Sequence, residues 1–166
     1  MCPGQWDVED LMEKATFAAG CFWGVEDAFT GINGIITTVV GYCGGSAEHP
    51  SYHDVCSGMT GHAEAVQVSF DPEVIMYGQL LNIFWQCHDP TQLNRQGPDH
   101  GTQYRSAIFY HTEEQKLMAK ESLESLDRSG RLRRRIVTEV VPCSTFWEAE
   151  EYHQKYHQKH GAGCGF

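Results

Sequence analysis

Residues 15–29 read ATFAAGCFWGVEDAF. Thr16, Phe17, Ala18 and Ala19 form a small, largely apolar strand that runs into Gly20-Cys21, and apolar residues then recur at helical spacing as Phe22, Val25 and Phe29. Cys21 therefore stands where a strand hands over to a helix N-terminus. Unpaired backbone N–H groups and the positive end of the helix dipole converge at such a point. That field favours thiolate over thiol, and the thiolate is the nucleophilic form. The rings of Phe22 and Trp23 follow directly. A reactive sulfur beside an aromatic wall suits a small apolar group that carries a polar reacting atom. Glu26 and Asp27 on the same helix oppose part of the dipole, so substrate binding is expected to complete the activation.

Outward from this junction, Gly31-Ile32-Asn33-Gly34 predicts a turn and the β-branched run Ile35 to Val40 a strand. Gly41 to Thr60 reads as a long loop, and loops of that length in compact domains are commonly functional. Glu64 to Phe70 alternates as a strand and Asp71-Pro72 ends it. Tyr77, Leu80, Leu81, Phe84 and Trp85 predict a second helix, and His88 to Gln103 a second long polar loop. A strand over Arg105 to Tyr110 precedes a third helix, started by Thr112 and Gln115 in a capping box and striped by Ala119, Leu123 and Leu126. Ile136 to Val141 is the next strand. Thr145 and Glu148 predict a cap for a last helix running to about His157. A mobile tail is expected over 158–166, with Gly161, Gly163 and Gly165 in it. The order β-α-β-β-α-β, then α-β-α, implies an α+β fold with a mixed sheet, a ferredoxin-like split βαβ core and helices on one side.

The chain has 166 residues, is 41% hydrophobic and carries a formal net charge of -10. One domain over 1–166 with an ordinary core follows. The acidity argues against nucleic acid as a partner. The one basic run, Arg131 to Arg135, reads as a solvated loop. No apolar stretch reaches bilayer length, and the acidic N-terminus lacks a signal core, so a cytoplasmic protein with no membrane partner is expected. Seven cysteines, an odd number without framework spacing, point to reduced thiols rather than a disulfide scaffold.

Several residues are candidates for chemistry. Glu64 shares the strand parity of Val66, Val68 and Phe70, so it begins the core-facing row with a carboxyl group. Desolvation favours its protonated form and makes it a candidate acid, although a lone Glu at a strand end is ordinarily solvated. Tyr52 and Tyr104 lie in the two long loops and can donate to a substrate oxygen, with Asp99 and His100 placed to orient them. An isolated Tyr is more often ordinary packing with a satisfied hydroxyl, and Asp99 and His100 also read as a polar turn. Cys164 is flanked by Gly163 and Gly165, which lets its thiol swing toward an oxidised partner. His153, His157 and His160 with Cys164 have spacings that zinc accepts, but no Cys-x-x-Cys pair supports a metal, and 150–155 reads as a solvated helix face.

Gly20-Cys21-Phe22-Trp23-Gly24-Val25-Glu26 resembles the signature of the A-type peptide methionine sulfoxide reductases. Further blocks agree in order: Gly41-Tyr42, Pro50-Ser51-Tyr52, Val55-Cys56-Ser57-Gly58, Gly61-His62-Ala63-Glu64-Ala65-Val66, His88-Asp89-Pro90, Arg95-Gln96-Gly97, Asp99 through Ser106, and Ala149-Glu150-Glu151-Tyr152-His153-Gln154. The resemblance covers about residues 15 to 164. It implies an α+β roll and reduction of the S epimer of methionine sulfoxide, free or in proteins. It implies Cys21 as nucleophile, Phe22 and Trp23 as the methyl pocket, and Glu64, Tyr52 and Tyr104 as hydrogen-bond partners of the sulfoxide oxygen. Glu64 is then the proton donor, and Asp99 supports the site. Cys21 becomes a sulfenic acid, a second thiol forms a disulfide with it, and a thioredoxin-type protein or another thiol donor reduces that disulfide; no bound cofactor is implied.

Many family members carry two recycling cysteines near the C-terminus, whereas Cys164 is alone here. A Cys21–Cys164 step is the preferred scheme, with Cys56 as the rival resolving thiol and Cys143 behind it. A monomer is expected. Two rival functions stay open from sequence. One is another cysteine enzyme, a thiol peroxidase or a hydrolase using His62 or His100 as base; the other is a redox switch built on Cys21 and Cys164 without turnover.

Overall fold

The computed structural model describes residues 11–160. The first strand, β1, covers Glu13–Ala19, and α1 covers Phe22–Phe29. β2 runs over Ile35–Cys43, three residues beyond the expected end at Val40. The short helix α2, Tyr52–Cys56, lies inside what reads as a loop; Ser51 accepts from the Asp54 N–H, and Asp54 answers by accepting from Ser51 N–H, a complete capping box. β3 is Ala63–Phe70 and α3 is Tyr77–Gln86. The second polar loop holds a small hairpin, β4 (Arg95–Gln96) and β5 (Asp99–His100), and then a 3₁₀ turn over Thr102–Tyr104. β6 is Ser106–Tyr110 and α4 is Glu113–Arg128. At the start of α4, Thr112 accepts from Gln115 N–H, while the Gln115 amide reaches one residue further back, to His111 N–H. β7 is Glu139–Pro142, β8 is Trp147–Glu148, a 3₁₀ turn spans Glu151–His153 and α5 is Tyr156–His160.

The six-stranded sheet has the order β7-β6-β1-β3-β2-β8. All neighbours are antiparallel except β6 and β7, so the sheet is mixed and the fold α+β. β1 and β2 are joined through α1, with β3 inserted between them; β3 and β6 are joined through α3, with β1 inserted. This topology puts β1 and β3 at the centre, and the central strands position the chemistry described below.

Alternation along the strands divides the core in two. Phe17, Val66, Val68 and Phe70 meet Phe22, Val25 and Phe29 of α1 and Leu80, Leu81 and Phe84 of α3 on one face. The opposite face is floored by Ala18, Ala63, Ala65 and Ala107, with Phe109 and Cys43, and takes Val141, Cys143 and Phe146 from the chain after β6. Small side chains here let irregular chain lie close to the sheet.

The expected last helix from Thr145 does not form. Trp147 and Glu148 instead pair with Tyr42 and Gly41 at the free edge of β2. Only glycine fits at 41, because a Cβ there would collide with the Trp147 carbonyl and the Phe146 ring. The Gln154 amide then extends the pairing, accepting from Val40 N–H at 2.9 Å and donating to Val40 and Ala149 carbonyls at 2.9 and 3.0 Å. Edge pairing to a strand a hundred residues away outweighs local helix signals, because unpaired edge groups are costly to leave partly buried. Helix begins only at Tyr156, so residues 158–160, expected in the tail, close α5. Arg131 to Arg135 form an irregular, mostly exposed loop. Among the described residues, no helix is long and apolar enough to cross a membrane.

Candidate active site

Gly20 makes the strand-to-helix junction possible. Its φ of 99° lies in the left-handed region, and a Cβ there would press on Gln96 at 2.8 Å. Cys21 is the N-cap residue of α1, and its carbonyl accepts the first helical bond from Val25 at 3.3 Å. The sulfur is half-buried, with the Trp23 and Gly24 N–H groups directed to it.

Glu64 meets this helix end from the start of β3. It is 1% exposed, and Oε1 accepts the Phe22 N–H at 3.2 Å. Oε2 is buried with no hydrogen-bond partner. Burial, with a smaller push from Asp99, raises the Glu64 pKa to about 8 despite the bond from Phe22. The carboxyl is therefore mostly protonated at neutral pH.

The resting Cys21 is a thiol, so the helix-end field does not by itself produce the thiolate it favours. Burial first, then the charge of Glu64, push the thiol up to about 12; the Trp23 and Gly24 amides and the more distant Asp99 alter this less. The helix-end amides act in the expected direction, but desolvation and a facing carboxyl outweigh them. Glu26 and Asp27, expected to weaken the dipole, point elsewhere. Glu26 is buried against Lys155 and Thr38, and Asp27 is exposed.

Burial foremost opposes ionisation of Tyr52 and Tyr104; the neighbouring Cys56 and then the charge of Glu64 add to it at Tyr52, and Glu64, Cys56, Asp99 and Cys21 at Tyr104. Cys21, Glu64, Tyr52, Tyr104 and Asp99 thus lie within reach of one another's charge, delivered by the start of α1, β3, α2, the 3₁₀ turn and β5. Cys56 is exposed one turn beyond Tyr52; partial burial of its thiol, with smaller pushes from Glu64 and Glu150, raises its pKa against the effect of Tyr52. His100 is exposed, with its backbone paired to Arg95, and forms no side-chain bond with the cluster. His62 is buried and structural: Nδ1 accepts from Gly45 N–H at 3.0 Å and Nε2 donates to the Ala47 carbonyl at 2.7 Å. Both of its ring nitrogens are occupied, so it is no base for Cys21. Cys164 lies outside the described residues.

A protonated acid with one free oxygen near a half-buried thiol suits chemistry in which a leaving oxygen takes a proton while sulfur is attacked. A sequence profile described as peptide methionine sulfoxide reductase matches residues 13–165. The peptide methionine sulfoxide reductase MsrA of Methanothermobacter thermautotrophicus is 63% identical over 147 residues, covering 89% of this chain and 87% of that protein. The chain belongs to the peptide methionine sulfoxide reductase family. The reduced form of Mxr1 from Saccharomyces cerevisiae superposes with a TM-score of 0.86 at 37% identity, covering 93% of this chain and 88% of that one. Mxr1 in complex with Trx2 matches with a TM-score of 0.64 at 26% identity, over 93% of this chain and 91% of that one.

This reductase has a second set of site residues that the sequence reading placed on a solvated helix face. His153 is 1% exposed and accepts the Trp23 indole N–H on Nδ1 at 3.1 Å. Its ring lies 4.5 Å from that of Tyr52 and 5.2 Å from that of Phe22. Burial lowers its pKa, and a neutral ring is what the indole bond requires. Tyr156 stacks on Trp23 at 3.8 Å. Glu150 accepts from Tyr42 hydroxyl at 3.1 Å, Tyr52 N–H at 3.3 Å and Tyr152 hydroxyl at 2.9 Å. Burial opposes its charge, but these bonds outweigh burial and hold its carboxyl below the usual range. The block 149–154 belonged to the family pattern, and that was the one signal for these residues; the helical reading turned them outward. Phe22 is fully packed within this aromatic cluster, while Trp23 keeps partial exposure. Among the described residues, no group of three or more His, Cys, Asp or Glu side chains converges as a metal cage.

Proposed function

We propose that this chain reduces the S epimer of methionine sulfoxide, free or in proteins, to methionine. The observation that carries the assignment of roles is Glu64: a buried carboxyl, protonated at neutral pH, with a free Oε2 beside the Cys21 thiol.

The sulfoxide oxygen is a poor leaving group until it is protonated. Glu64 donates to that oxygen, with Tyr52 and Tyr104 as further donors. The sulfur gains positive character, and Cys21 attacks it as its own proton departs. That proton restores Glu64, the S–O bond passes from substrate to enzyme, and methionine leaves. Cys21 carries the oxygen as a sulfenic acid. Thiol and sulfoxide thus become sulfenic acid and thioether with no net proton change. Trp23, braced by His153 and Tyr156, forms the wall for the methyl group, with Phe22 behind it. Asp99 steadies the rim.

Cys164 then attacks the sulfenic acid, water leaves and a disulfide forms. A thioredoxin-type dithiol returns the enzyme to its reduced state, a partner class consistent with the Mxr1–Trx2 complex. Reducing equivalents are the only cofactor this scheme needs. All these residues come from one chain, so a monomer is sufficient, and a cytoplasmic setting keeps Cys21 reduced.

The test is a paired assay under dithiothreitol. Loss of a methyl sulfoxide with an intact p-nitrophenyl ester is the expected result. Ester turnover without sulfoxide loss would return the chain to the hydrolase class; no sulfoxide turnover, with one disulfide per chain formed by peroxide in the absence of dithiothreitol, would make it a switch. Cys164→Ser is expected to release one methionine per chain and then stall with thioredoxin. Sustained turnover passes the resolving role to Cys56 or another thiol.

A further inference from the structure

A second pair of thiols lies on the other face of the sheet. Cys43 is the last residue of β2 and is fully buried; Cys143 follows β7 and is half-buried. Their sulfurs are 3.8 Å apart although 100 positions separate them in sequence. The sheet curls over this face, bringing the chain just after β2 against β6: a Cβ on Gly44 would meet the Phe109 ring at 2.8 Å. Residues 143–146 cross the alanine floor and place Cys143 over Cys43. The Thr16 hydroxyl and His111 ring, joined at 2.8 Å, border the pair.

We propose that Cys43 and Cys143 form a second oxidisable dithiol, distinct from the catalytic thiol, which hydroperoxides convert into an intramolecular disulfide. The more accessible Cys143 attacks the peroxide. Its sulfur takes one oxygen as sulfenic acid, and the O–O bond breaks to release water or an alcohol. Cys43 then displaces hydroxide from that sulfur, so that two thiols and one peroxide give one disulfide. Donation from the Cys43 thiol, then from His111 and Thr16, favours the Cys143 thiolate against the effect of burial. The sulfurs must close from 3.8 Å to about 2 Å, a movement that irregular chain beyond β7 can supply. Cys143 heads the segment that carries β8 and the Glu150–His153 cap. Oxidation would therefore fasten this cap to β2. That consequence for the site rests on the proposed sulfoxide reduction; the disulfide itself does not.

The experiment uses the Cys21→Ser chain, reduced and then exposed to hydrogen peroxide. Remaining thiols are alkylated under denaturing conditions, and the peptides are mapped without reductant. The expected result is a linked peptide pair containing Cys43 and Cys143, a loss of two alkylatable thiols per chain, and reversal by dithiothreitol. Alkylation of both residues after oxidation overturns the proposal, as does linkage of Cys143 to any other cysteine. In the chain with Cys21 intact, Cys43→Ala is expected to keep thioredoxin-supported turnover within twofold of the parent. Loss of turnover in a folded variant would place the pair inside the catalytic cycle and overturn its independence. The peptide map stands whether or not that variant folds.

Discussion

Two regions converge on the reactive sulfur, and they are built in opposite ways. The junction from Gly20 to Val25 is local: a positive-φ glycine, a helix start and an apolar stripe lie within six positions. The strap from Trp147 to Lys155 is non-local. Gln154 holds Val40, Glu150 holds Tyr42 and Tyr52, and the Lys155 ammonium and N–H reach Glu26, each across roughly a hundred positions or more. The strap supports the junction through His153 and Trp23. Cys21 is thus placed by short-range geometry, while its surroundings come from distant chain. Those surroundings also reverse the chemistry expected from position alone, because burial and Glu64 keep the resting Cys21 protonated.

This contrast sets what each variant does. Cys21→Ser is expected to reduce sulfoxide turnover to background while shifting unfolding free energy by less than about 0.5 kcal/mol, read by a methionine-release assay and thermal unfolding. A large loss of stability would mean that the thiol braces the junction. Glu64→Gln comes next, with kcat down about 10²- to 10³-fold and the fold intact. Its pH behaviour supplies a second measurement. The Glu64 pKa rises on folding from 4.5 to about 8, so the folded state binds the extra proton between those values. Stability due to this group is therefore highest below pH 4.5 and falls as pH rises to about 8. Single-turnover rates should fall through the same upper value. Glu64→Gln should flatten both profiles and raise stability at pH 7 by up to about 3 kcal/mol. An unchanged rate in this variant removes Glu64 as the acid.

Strap variants should act on affinity and stability before chemistry. Glu150→Ala removes the acceptor of three hydrogen bonds and is expected to raise KM about tenfold and cost about 2 kcal/mol. A fall in kcat as large as that of Glu64→Gln would erase the distinction between the regions. Gln154→Ala is the mildest, expected to cost about 1–3 kcal/mol by thermal unfolding through loss of its bonds to Val40 and Ala149, with kcat little changed.

Apart from α2 and the β4–β5 hairpin, the order of strands and helices through β6 was legible because each longer element carries its own period, and strand parity put Glu64 in the inward row (Val66, Val68 and Phe70 are buried in the same row). α2 was missed because five residues are too few to show a helical stripe. β8 was missed because nothing within 145–157 announces that Gly41 leaves an edge open for it.

The sequence by itself determined the family and the alternating core and singled out Cys21 and, through the resemblance, Glu64, since all of these are written in residue type and short spacing. Tertiary structure alone decided that His153 meets Trp23, that Glu150 meets Tyr52, that Gln154 ties this segment to β2, that Cys21 rests as a thiol, and that Cys43 meets Cys143. Desolvation and edge pairing depend on which distant groups exclude water from a given atom, and no local window of residues contains that information.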